Sequence, residues 1–328
     1  MATMKNECVV CVTRPYPGDM DVPGAKIVVG PDRWMRDAEE LRAFVREHRP
    51  QALVTMYHDR VDEALLEAAG EGLRGVVNFA VGYDNIDVRA CGARGVTVCN
   101  TPDAVTEGTA DIAWMLLMSA ARRGAEADRY ARSEAYPANG YLGMSDMLGV
   151  HLTGQTLLIV GAGRIGYATA LRSIGWGMRV LYTARSRHLD FEFAPLGARR
   201  VSLEEGLREA DFVSVHCPLT PQTKHLINRE RLALMKRTAV LVNTARGPVV
   251  EEAALVEALR EGRIFGAGLD VYEHEPRPSA ELIALENVAL TPHIGSGTIK
   301  HREMMTGIVA ANVRAVLEGS TPPNVVAG

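Results

Sequence analysis

Four charged or titratable side chains lie at or after the ends of three apolar runs in the second half of the chain. Arg246 comes just after the run in AVLVNTARG, Asp270 ends the run in GAGLDVYEHEP, and His293 follows the run in NVALTPHIGSG. Glu275 stands in the segment that follows Asp270. In open α/β sheets, ligands bind at the carboxyl ends of the strands, so these charged and titratable groups can converge there.

These groups suit the reduction of a 2-oxo acid, which needs a hydride at the carbonyl carbon, a proton at its oxygen and a hold on the carboxylate. Arg246 offers a planar, permanently charged guanidinium for the carboxylate. Histidine titrates near neutral pH, so His293 can give a proton in reduction and accept one in oxidation. Glu275, hydrogen-bonded to the imidazole, would orient it and keep it protonated until the carbonyl needs the proton. The predicted catalytic residues are therefore Arg246, Glu275 and His293.

Each of these side chains also has an ordinary structural interpretation. Arg246 could cap a helix or pair with an acid at a domain edge. Glu275 lies beside Glu273 and His274, in a charged segment where solvated acids are expected. No metal site is predicted, because the segment lacks ligands at helical spacing. The convergence of three strand ends favours the catalytic interpretation over the separate structural ones.

The stretch GAGRIG, residues 161–166, has the spacing G-x-G-x-x-G and follows the apolar run TLLIV. Gly161 permits a tight turn, Gly163 lets the backbone approach a pyrophosphate, and Gly166 lets a helix pack on the sheet. The helix that starts in this turn offers N–H groups and a partial positive charge to phosphates. The motif therefore predicts a dinucleotide site that includes Arg164 and Ile165.

The acidic residue that usually follows such a motif by about 20 residues is missing. An Asp at Ala184 would accept hydrogen bonds from the ribose hydroxyls and would repel a 2′-phosphate, whereas this segment has arginines and hydroxyls instead. The predicted cofactor is therefore NADP(H), and the alternative is a solvated arginine run beside a site that takes NAD(H). The candidates for binding the phosphate are Thr183, Arg185, Ser186 and Arg187.

Apolar runs of strand length alternate with helical patterns along the whole chain, which is typical of parallel α/β sheets. The strands predicted in the first hundred residues are Val9–Thr13, Ala52–Met56, Gly75–Ala80 and Val96–Cys99, and the helices between them include Asp37–Glu47 and Asp62–Ala69. A second series of strands is predicted at Thr156–Val160, Arg179–Thr183, Phe212–His216, Ala239–Asn243, Gly266–Asp270 and Val288–Leu290. A long helix, Val105–Arg123, separates the two series. The last helix, Thr298–Glu318, has no strand left to pair with and is expected to pack on the first domain.

The overall composition sets limits on the class of protein. The chain has 328 residues, enough for two domains, with 47% hydrophobic and 23% charged residues and a net charge of −4. The chain has no excess of basic residues that would point to nucleic acid as a partner. It also has no apolar stretch of about 18 residues that would predict a membrane span. Cys8 and Cys11 form a C-x-x-C inside a strand-like run, where core hydrophobes are expected rather than a metal or redox pair. A reducing, cytoplasmic location is expected.

Together these stretches resemble the D-isomer-specific 2-hydroxyacid dehydrogenase family. The matching stretches run in family order and are VGYDNIDV (81–88), GAGRIG (161–166), HCPLTPQTKHLI (216–227), VNTARGPVVEEAAL (242–255), GAGLDVYEHEP (266–276) and TPHIGSGT (291–298). The resemblance implies an α/β fold with two Rossmann-like, doubly wound parallel-sheet domains separated by a cleft, and commonly a homodimer. The substrate-binding domain is expected at residues 1–101 plus 294–328, and the dinucleotide-binding domain at 102–293.

The resemblance also implies roles for individual residues. Arg246, Glu275 and His293 match the family's catalytic residues. The substrate is expected to meet Tyr57, Val81 and Gly82 as well as Arg246 and His293. The residues expected around the cofactor, besides the glycine motif and the arginine segment, are Thr109, Cys217, Pro218, Thr223, Thr244, Ala245, Asp270 and Gly295.

Within the family, LYTARSR and GRIG look most like the glyoxylate/hydroxypyruvate reductases. The prediction is therefore a cytoplasmic reductase of small 2-oxo acids that prefers NADP(H), with glyoxylate or hydroxypyruvate as the first choice. Two departures leave the size of the substrate open: Tyr57 and His58 stand where those enzymes usually carry Leu and Ser, and residues 133–148 contain none of their pocket tryptophans. An enzyme for a bulkier 2-hydroxy acid is the nearest alternative. A dinucleotide-sensing protein similar to a corepressor is a second alternative, and a methyltransferase is a third.

Overall fold

The computed structural model of the protein describes residues 7–326. Contacts between residues divide the chain into two compact units. The first unit comprises the residues up to Val105 and those from Ser296 onward, and the second comprises Thr106–Gly295. The predicted boundaries, after residues 101 and 293, lie four and two residues before these positions.

Strands and helices alternate along the described chain. The strands are β1 (Cys8–Val12), β2 (Ala25–Val29), β3 (Ala52–Thr55), β4 (Gly75–Asn78), β5 (Thr97–Cys99), β6 (Thr156–Val160), β7 (Arg179–Thr183), β8 (Arg199–Arg200), β9 (Phe212–Val215), β10 (Val240–Asn243), β11 (Gly266–Leu269) and β12 (Val288–Leu290). The helices are α1 (Ala38–His48), α2 (Glu63–Ala69), α3 (Val88–Ala93), α4 (Thr106–Ala121), α5 (Gly124–Ala131), α6 (Ala135–Asn139), α7 (Arg164–Arg172), α8 (Leu189–Glu192), α9 (Leu203–Glu209), α10 (Arg229–Leu232), α11 (Glu252–Arg260), α12 (Ala280–Ile283) and α13 (Ile299–Glu318). Short 3-10 helices lie at Ser173–Trp176 and Gly247–Val249.

The first unit contains a parallel sheet of five strands in the order β2-β1-β3-β4-β5. Helix α13 packs on β3 and β4, as expected of the last helix from its sequence. The contact is close, because a Cβ at Gly75 of β4 would lie 2.8 Å from the methyl carbons of Val316. This unit is therefore completed by a segment from the far end of the chain.

Cys11 of the C-x-x-C pair lies in the hydrophobic core of the first unit, and Cys8 is partly exposed at the start of the same strand. Burial raises the pKa of Cys11 to about 12, since the thiolate loses its hydration inside the protein. The Cys11 side chain therefore behaves as a small core hydrophobe.

The second unit contains a parallel sheet of seven strands in the order β12-β11-β10-β9-β6-β7-β8. Alternate side chains of its strands enter two different cores. On β6, Leu158 and Val160 join one hydrophobic cluster, and Leu157 and Ile159 join the other. Both faces of the sheet are thus covered, which explains why most of its strands are apolar runs in the sequence.

The direction of winding reverses beside β6, with β7 and β8 on one side and β9 to β12 on the other. Ligands of open α/β sheets bind outside the carboxyl ends of the strands at such a reversal. The segments that follow β10, β11 and β12 carry Arg246, Asp270 and His293 and leave three neighbouring strands at the same edge. The order of the strands therefore brings Arg246, Asp270 and His293 to the same edge of this sheet.

No helix in the described part of the chain is long and apolar enough to cross a membrane.

Candidate active site

In the glycine turn between β6 and α7, two glycines have no room for a side chain, and one faces open space. At Gly161, φ is +103°, and a Cβ there would lie 2.6 Å from the backbone nitrogen of Cys217. A Cβ at Gly166 would lie 2.2 Å from the carbonyl oxygen of Gly161. At Gly163, by contrast, no atom of the described chain lies within 4 Å of a Cβ position, and no side chain caps α7 there. The turn therefore presents an open backbone surface at the helix N-terminus, which suits a pyrophosphate.

The segment after β7 contains an ion pair that its local sequence does not predict. Glu192, at the end of α8, accepts hydrogen bonds from Arg187 and, at 2.6 Å, from the hydroxyl of Tyr182. These two donors lower the pKa of Glu192 to about 2. Arg187, expected to bind a phosphate, is thus already paired with a carboxylate.

A second cation, Arg200, reaches the same segment from β8. Its Nη2 donates hydrogen bonds to the carbonyl oxygens of Ala184 (2.9 Å) and Arg185 (3.0 Å). A surface cavity of about 440 Å³ opens here, lined by Thr183, Ala184, Arg187 and Arg200 among others. Arg185 and Ser186 are exposed at the end of the same segment. The predicted phosphate-binding residues therefore lie together, with Arg200 as an addition that sequence reasoning missed.

The segment after β9 is held by its own hydroxyl groups. Thr223 donates to the carbonyl of Pro218 at 2.6 Å and accepts from the N–H of Thr220 at 2.8 Å. Cys217, which comes before Pro218, is buried against the glycine turn. Residues 218–223 are thus held by their own hydrogen bonds, and Cys217 before them lies against Gly161 of the glycine turn.

The segment after β10 begins with a buried asparagine that organises the residues beyond it. The Asn243 side chain accepts from the N–H of Ala245 and donates to the carbonyl of Arg246, both at 3.0 Å. Arg246 Nη1 donates to the carbonyl of Ala245 at 2.8 Å. The hydroxyl of Thr244 is buried and has no hydrogen-bond partner among residues 7–326. Such an orphaned group in a predicted cofactor site is what a polar ligand atom would satisfy.

Asp270, at the end of β11, is 1% exposed and fixes the segment after β12. Its carboxylate accepts hydrogen bonds from the Thr291 hydroxyl (2.7 Å) and from the N–H groups of Ile294 (2.8 Å) and Gly295 (2.9 Å). Burial raises the pKa of Asp270, and the three hydrogen bonds oppose this effect. A Cβ at Gly295 would lie 3.0 Å from the Thr109 hydroxyl. Thr109, Asp270 and Gly295 thus lie together, and their contact with a cofactor stays a prediction.

The imidazole of His293 and the carboxylate of Glu275 are in direct contact. His293 Nδ1 lies 2.9 Å from Glu275 Oε2, and the other carboxylate oxygen accepts from the N–H of Tyr272 at 3.2 Å. The backbone N–H of His293 donates to the carbonyl of Asp270 at 2.9 Å. The side chains of His293 and Glu275 are 20% and 28% exposed, so the pair is sheltered yet accessible to a small molecule. The hydrogen bond that the sequence predicts between these two groups is present.

The substrate residues predicted in the first unit follow β3 and β4. The Tyr57 ring packs edge to face on His58, with ring centroids 4.6 Å apart. The carbonyls of Val81 and Gly82 accept hydrogen bonds from the side chains of Asn100 (2.8 Å) and Asn78 (2.7 Å). The segment that carries Val81 and Gly82 is therefore well anchored, and its contact with a substrate stays a prediction.

Sequence reasoning missed several residues that shape this site. Asn243 was included in a predicted strand, although a buried amide at a strand end is a signal for a structured segment beyond it. Glu192 and Arg200 lie beyond the segment near Ala184, where the ribose-binding acid of such sites usually stands. No local sequence pattern therefore indicated them. Within residues 7–326, no cluster of three His, Cys, Asp or Glu side chains could hold a metal ion.

Residues 114–295 match the sequence profile of the family described as D-isomer specific 2-hydroxyacid dehydrogenase, NAD binding domain. The chain is 52% identical over 276 residues to the glyoxylate reductase of Thermococcus kodakarensis, which covers 84% of this chain and 82% of that relative. The crystal structure of the TT0316 protein from Thermus thermophilus is similar with a TM-score of 0.88 at 43% identity, over 97% of this chain and 100% of that chain. An NADPH-dependent glyoxylate/hydroxypyruvate reductase from Sinorhizobium meliloti, in complex with NADP and malonate, is similar with a TM-score of 0.82 at 31% identity, over 98% of this chain and 97% of that chain.

Proposed function

Because the chain belongs to the D-isomer-specific 2-hydroxyacid dehydrogenase family, we propose that it reduces glyoxylate and that NADPH is its preferred hydride donor. As a member of this family, the protein is an oxidoreductase that transfers hydride between a nicotinamide dinucleotide and a 2-oxo or 2-hydroxy acid. The observation that carries the proposal is the contact of 2.9 Å between His293 and Glu275, next to the buried Asp270. Glyoxylate is the first choice because the relative that is 52% identical is a glyoxylate reductase.

The residues present fit a dinucleotide. Gly163 leaves the backbone open at the N-terminus of α7, where the pyrophosphate would bind. The buried hydroxyl of Thr244 has no partner within the described chain and can meet a polar atom of the cofactor. We assign the cofactor to this edge of the second unit.

The preference for NADPH is supported by the cations around the segment after β7. Arg185 and Arg200 lie at this segment, and the two acids that line the cavity beside it, Glu192 and Glu205, are already paired with Arg187 and Arg199. A guanidinium binds phosphate with paired, charge-assisted hydrogen bonds, so Arg185 and Arg200 favour a 2′-phosphate there. NAD(H) is the alternative cofactor, in line with the description of the matching family domain.

His293 is the proposed proton donor in reduction. A carboxylate only accepts hydrogen bonds, so Glu275 keeps a hydrogen on Nδ1 and leaves Nε2 to give its proton to the carbonyl oxygen. A bound nicotinamide dinucleotide supplies the hydride for the carbonyl carbon. The ring then recovers a proton from solvent, which its partly exposed side chain can reach.

Arg246 is the proposed anchor for the substrate carboxylate. Asn243 holds the backbone on both sides of Ala245, which sets the position from which the guanidinium extends. A guanidinium is permanently charged and planar, so it can hold a carboxylate through two parallel hydrogen bonds. Such a hold fixes the carbonyl relative to His293.

We also propose that the protein is a homodimer. All residues from 131 to 146 are exposed, among them Tyr141 and Met144 at 98% and 96%. Large apolar side chains clustered on a surface are typical of protein interfaces, and a second copy of this segment is the proposed partner.

A cytoplasmic location is proposed from the cysteines. All five cysteines of the described chain are free thiols, and four of them are buried. Thiols of this kind are typical of reducing compartments.

The test of the proposed function is an assay of NADPH oxidation with glyoxylate, hydroxypyruvate, pyruvate and a bulkier 2-oxo acid. We expect the highest kcat/KM for glyoxylate, and a preference for NADPH over NADH of about tenfold or more, because hydrogen bonds to charged groups contribute about 1.5–3 kcal/mol. His293→Gln should lower kcat about 10²- to 10⁴-fold, the usual contribution of a general acid, while NADPH still binds.

Three outcomes would contradict parts of this proposal. Preference for the bulkier acid would identify a different substrate, and preference for NADH would reject the cofactor assignment. Tight NADPH binding without turnover of any 2-oxo acid would instead indicate a dinucleotide sensor.

A further inference from the structure

Glu252, the first residue of α11, is a buried carboxylate that the proposed mechanism does not use. Its side chain is enclosed, and the residue is 8% exposed. Oε1 accepts from the N–H of Ser279 at 3.0 Å, and Oε2 accepts from the N–H of Glu273 at 3.1 Å. One carboxylate therefore holds the segment of residues 273–279 at both of its ends.

The attachment is reciprocal. Glu273 Oε2 accepts from the N–H of Glu252 at 3.0 Å, so each of the two side chains holds the backbone of the other residue. Glu273 Oε1 also lies 2.6 Å from Nε2 of His225. Burial opposes the charge on Glu273, but the hydrogen bonds from His225 and Glu252 outweigh it and lower the pKa of Glu273.

The segment held in this way carries Glu275. The Glu275 carboxylate connects the N–H of Tyr272 to the imidazole of His293. Gly247, which follows Arg246, packs against the same backbone, because a Cβ there would lie 1.8 Å from the carbonyl oxygen of Tyr272. The segments that carry Arg246 and Glu275 are therefore joined by direct backbone contact and by the side chain of Glu252.

We propose that Glu252 is a positioning residue for the reduction: it holds residues 273–279 so that Glu275 stays in contact with His293. This inference rests on the proposed function, since it assigns Glu275 and His293 their roles in proton transfer. Glu252 acts through the backbone, and its two oxygens match the two N–H groups that it holds. Glutamine at this position would offer one accepting oxygen and one N–H₂ group, so one of the two hydrogen bonds would be lost.

The first test is the pH dependence of kcat/KM for glyoxylate reduction in Glu252→Gln. We expect kcat to fall about tenfold or more, because small displacements of catalytic groups are costly, and the alkaline limb of the profile to move to lower pH. In a Glu275→Gln background, Glu252→Gln should cause little further shift of that limb. A loss of activity with an unmoved limb, or full additivity with Glu275→Gln, would overturn the proposal.

A second pair of variants tests the same contact from the other side. Ser279→Pro removes the N–H that binds Glu252 Oε1, and the φ of −60° at Ser279 is one that proline adopts. Ser279→Ala keeps that N–H and is the matched control. We expect the alkaline limb of the pH profile of kcat/KM to move in Ser279→Pro and not in Ser279→Ala. Equal pH profiles in the two variants would reject the positioning role of Glu252. This pair keeps the test decisive if Glu252→Gln does not fold.

Glu257→Gln serves as a control on the same helix, because Glu257 pairs at the surface with Arg229 and Arg263. Its pH profile should match that of the unmodified protein.

A readout that does not depend on activity separates this inference from the proposed function. The titration of the His293 ring can be followed by NMR in the presence of NADPH. The ionisable groups that face it include Glu275 and Asp270, with Tyr272 beside them. Glu252→Gln should move the titration toward that of Glu275→Gln, even if no 2-oxo acid is turned over. An unmoved titration would overturn the positioning role while leaving the proposed function intact.

Discussion

His216, which follows β9, is a histidine whose surroundings favour its neutral form. Its Nε2 lies 2.8 Å from the Ser214 hydroxyl, and its Nδ1 is buried without a hydrogen-bond partner in the described chain. Burial lowers the pKa of His216 to about 3, because the imidazolium would lose its hydration. The residue thus links the stability of the fold to pH.

The sign of this effect follows from the two states. Below pH 6.5, the ordinary value for histidine, the unfolded chain binds a proton at this residue and the folded protein does not. Acid therefore favours the unfolded chain, and His216 should cost roughly 1.4 kcal/mol of unfolding free energy for each pH unit between 6.5 and 3. We expect His216→Gln to remove this part of the acid dependence.

Denaturant unfolding at several pH values between 6.5 and 4.5 would measure the difference in slope between the two proteins. His151→Gln, a change at an exposed histidine, is the control and should keep the original slope. Parallel stability curves for the unmodified protein and His216→Gln would contradict the prediction.

Candidate site residues could be located from the sequence where the strand before them is strongly apolar, and their roles stay predictions. Asp270 and His293 follow such strands, and Glu275 lies where it can reach the imidazole. Glu252 could not be predicted, because it begins an amphipathic helix and its partners lie on a different segment. Its role depends on tertiary packing that no local pattern encodes.

At the level of elements, the sequence predicted best the strands that are covered on both faces. Thr156–Val160, Arg179–Thr183 and Val288–Leu290 have the predicted bounds, and all three are mostly apolar, although Val288–Leu290 lies at the edge of its sheet. The strands β2 and β8 were not predicted. Both lie at sheet edges, and β8 consists of two exposed arginines that pair with β7. An edge strand exists because its neighbour offers hydrogen bonds, so its own side chains need not be apolar.

In the turn between β6 and α7, Gly166 is expected to have a structural role and Gly163 a role in binding. Gly166→Ala should destabilise the protein by about 1–3 kcal/mol or more, because its Cβ would meet the carbonyl of Gly161 at 2.2 Å. Gly163→Ala should change the unfolding free energy by less than about 1 kcal/mol, since its surroundings are open. The same change should weaken NADPH binding about tenfold or more, because the backbone could no longer approach the pyrophosphate.

Thermal unfolding without cofactor and titration with NADPH would measure the two effects separately. If Gly163→Ala lost stability and kept its affinity for NADPH, the assignment of the pyrophosphate to this turn would be wrong.

At the level of the whole molecule, the proposed homodimer can be tested through residues 131–146. Tyr141 and Met144 make little contact within the chain, so Tyr141→Ser with Met144→Ser should leave the unfolding of the monomer unchanged. We expect the double variant to shift from the mass of two chains to that of one in light scattering at low concentration.

Ile299→Ser provides the control, because Ile299 is 78% exposed in the first unit. It should keep the mass of the unmodified protein. A double variant that retains the mass of two chains would show that residues 131–146 do not form the interface.

The divided first unit has a consequence for biosynthesis. Its sheet is translated before the second unit, but α13, which covers β3 and β4, is translated only after that unit. The second unit is continuous and can complete its own core while the first still waits for its closing helix. Nascent chains should therefore carry an incompletely covered sheet until the second unit has been translated, and exposed apolar surface of this kind is where chaperones act.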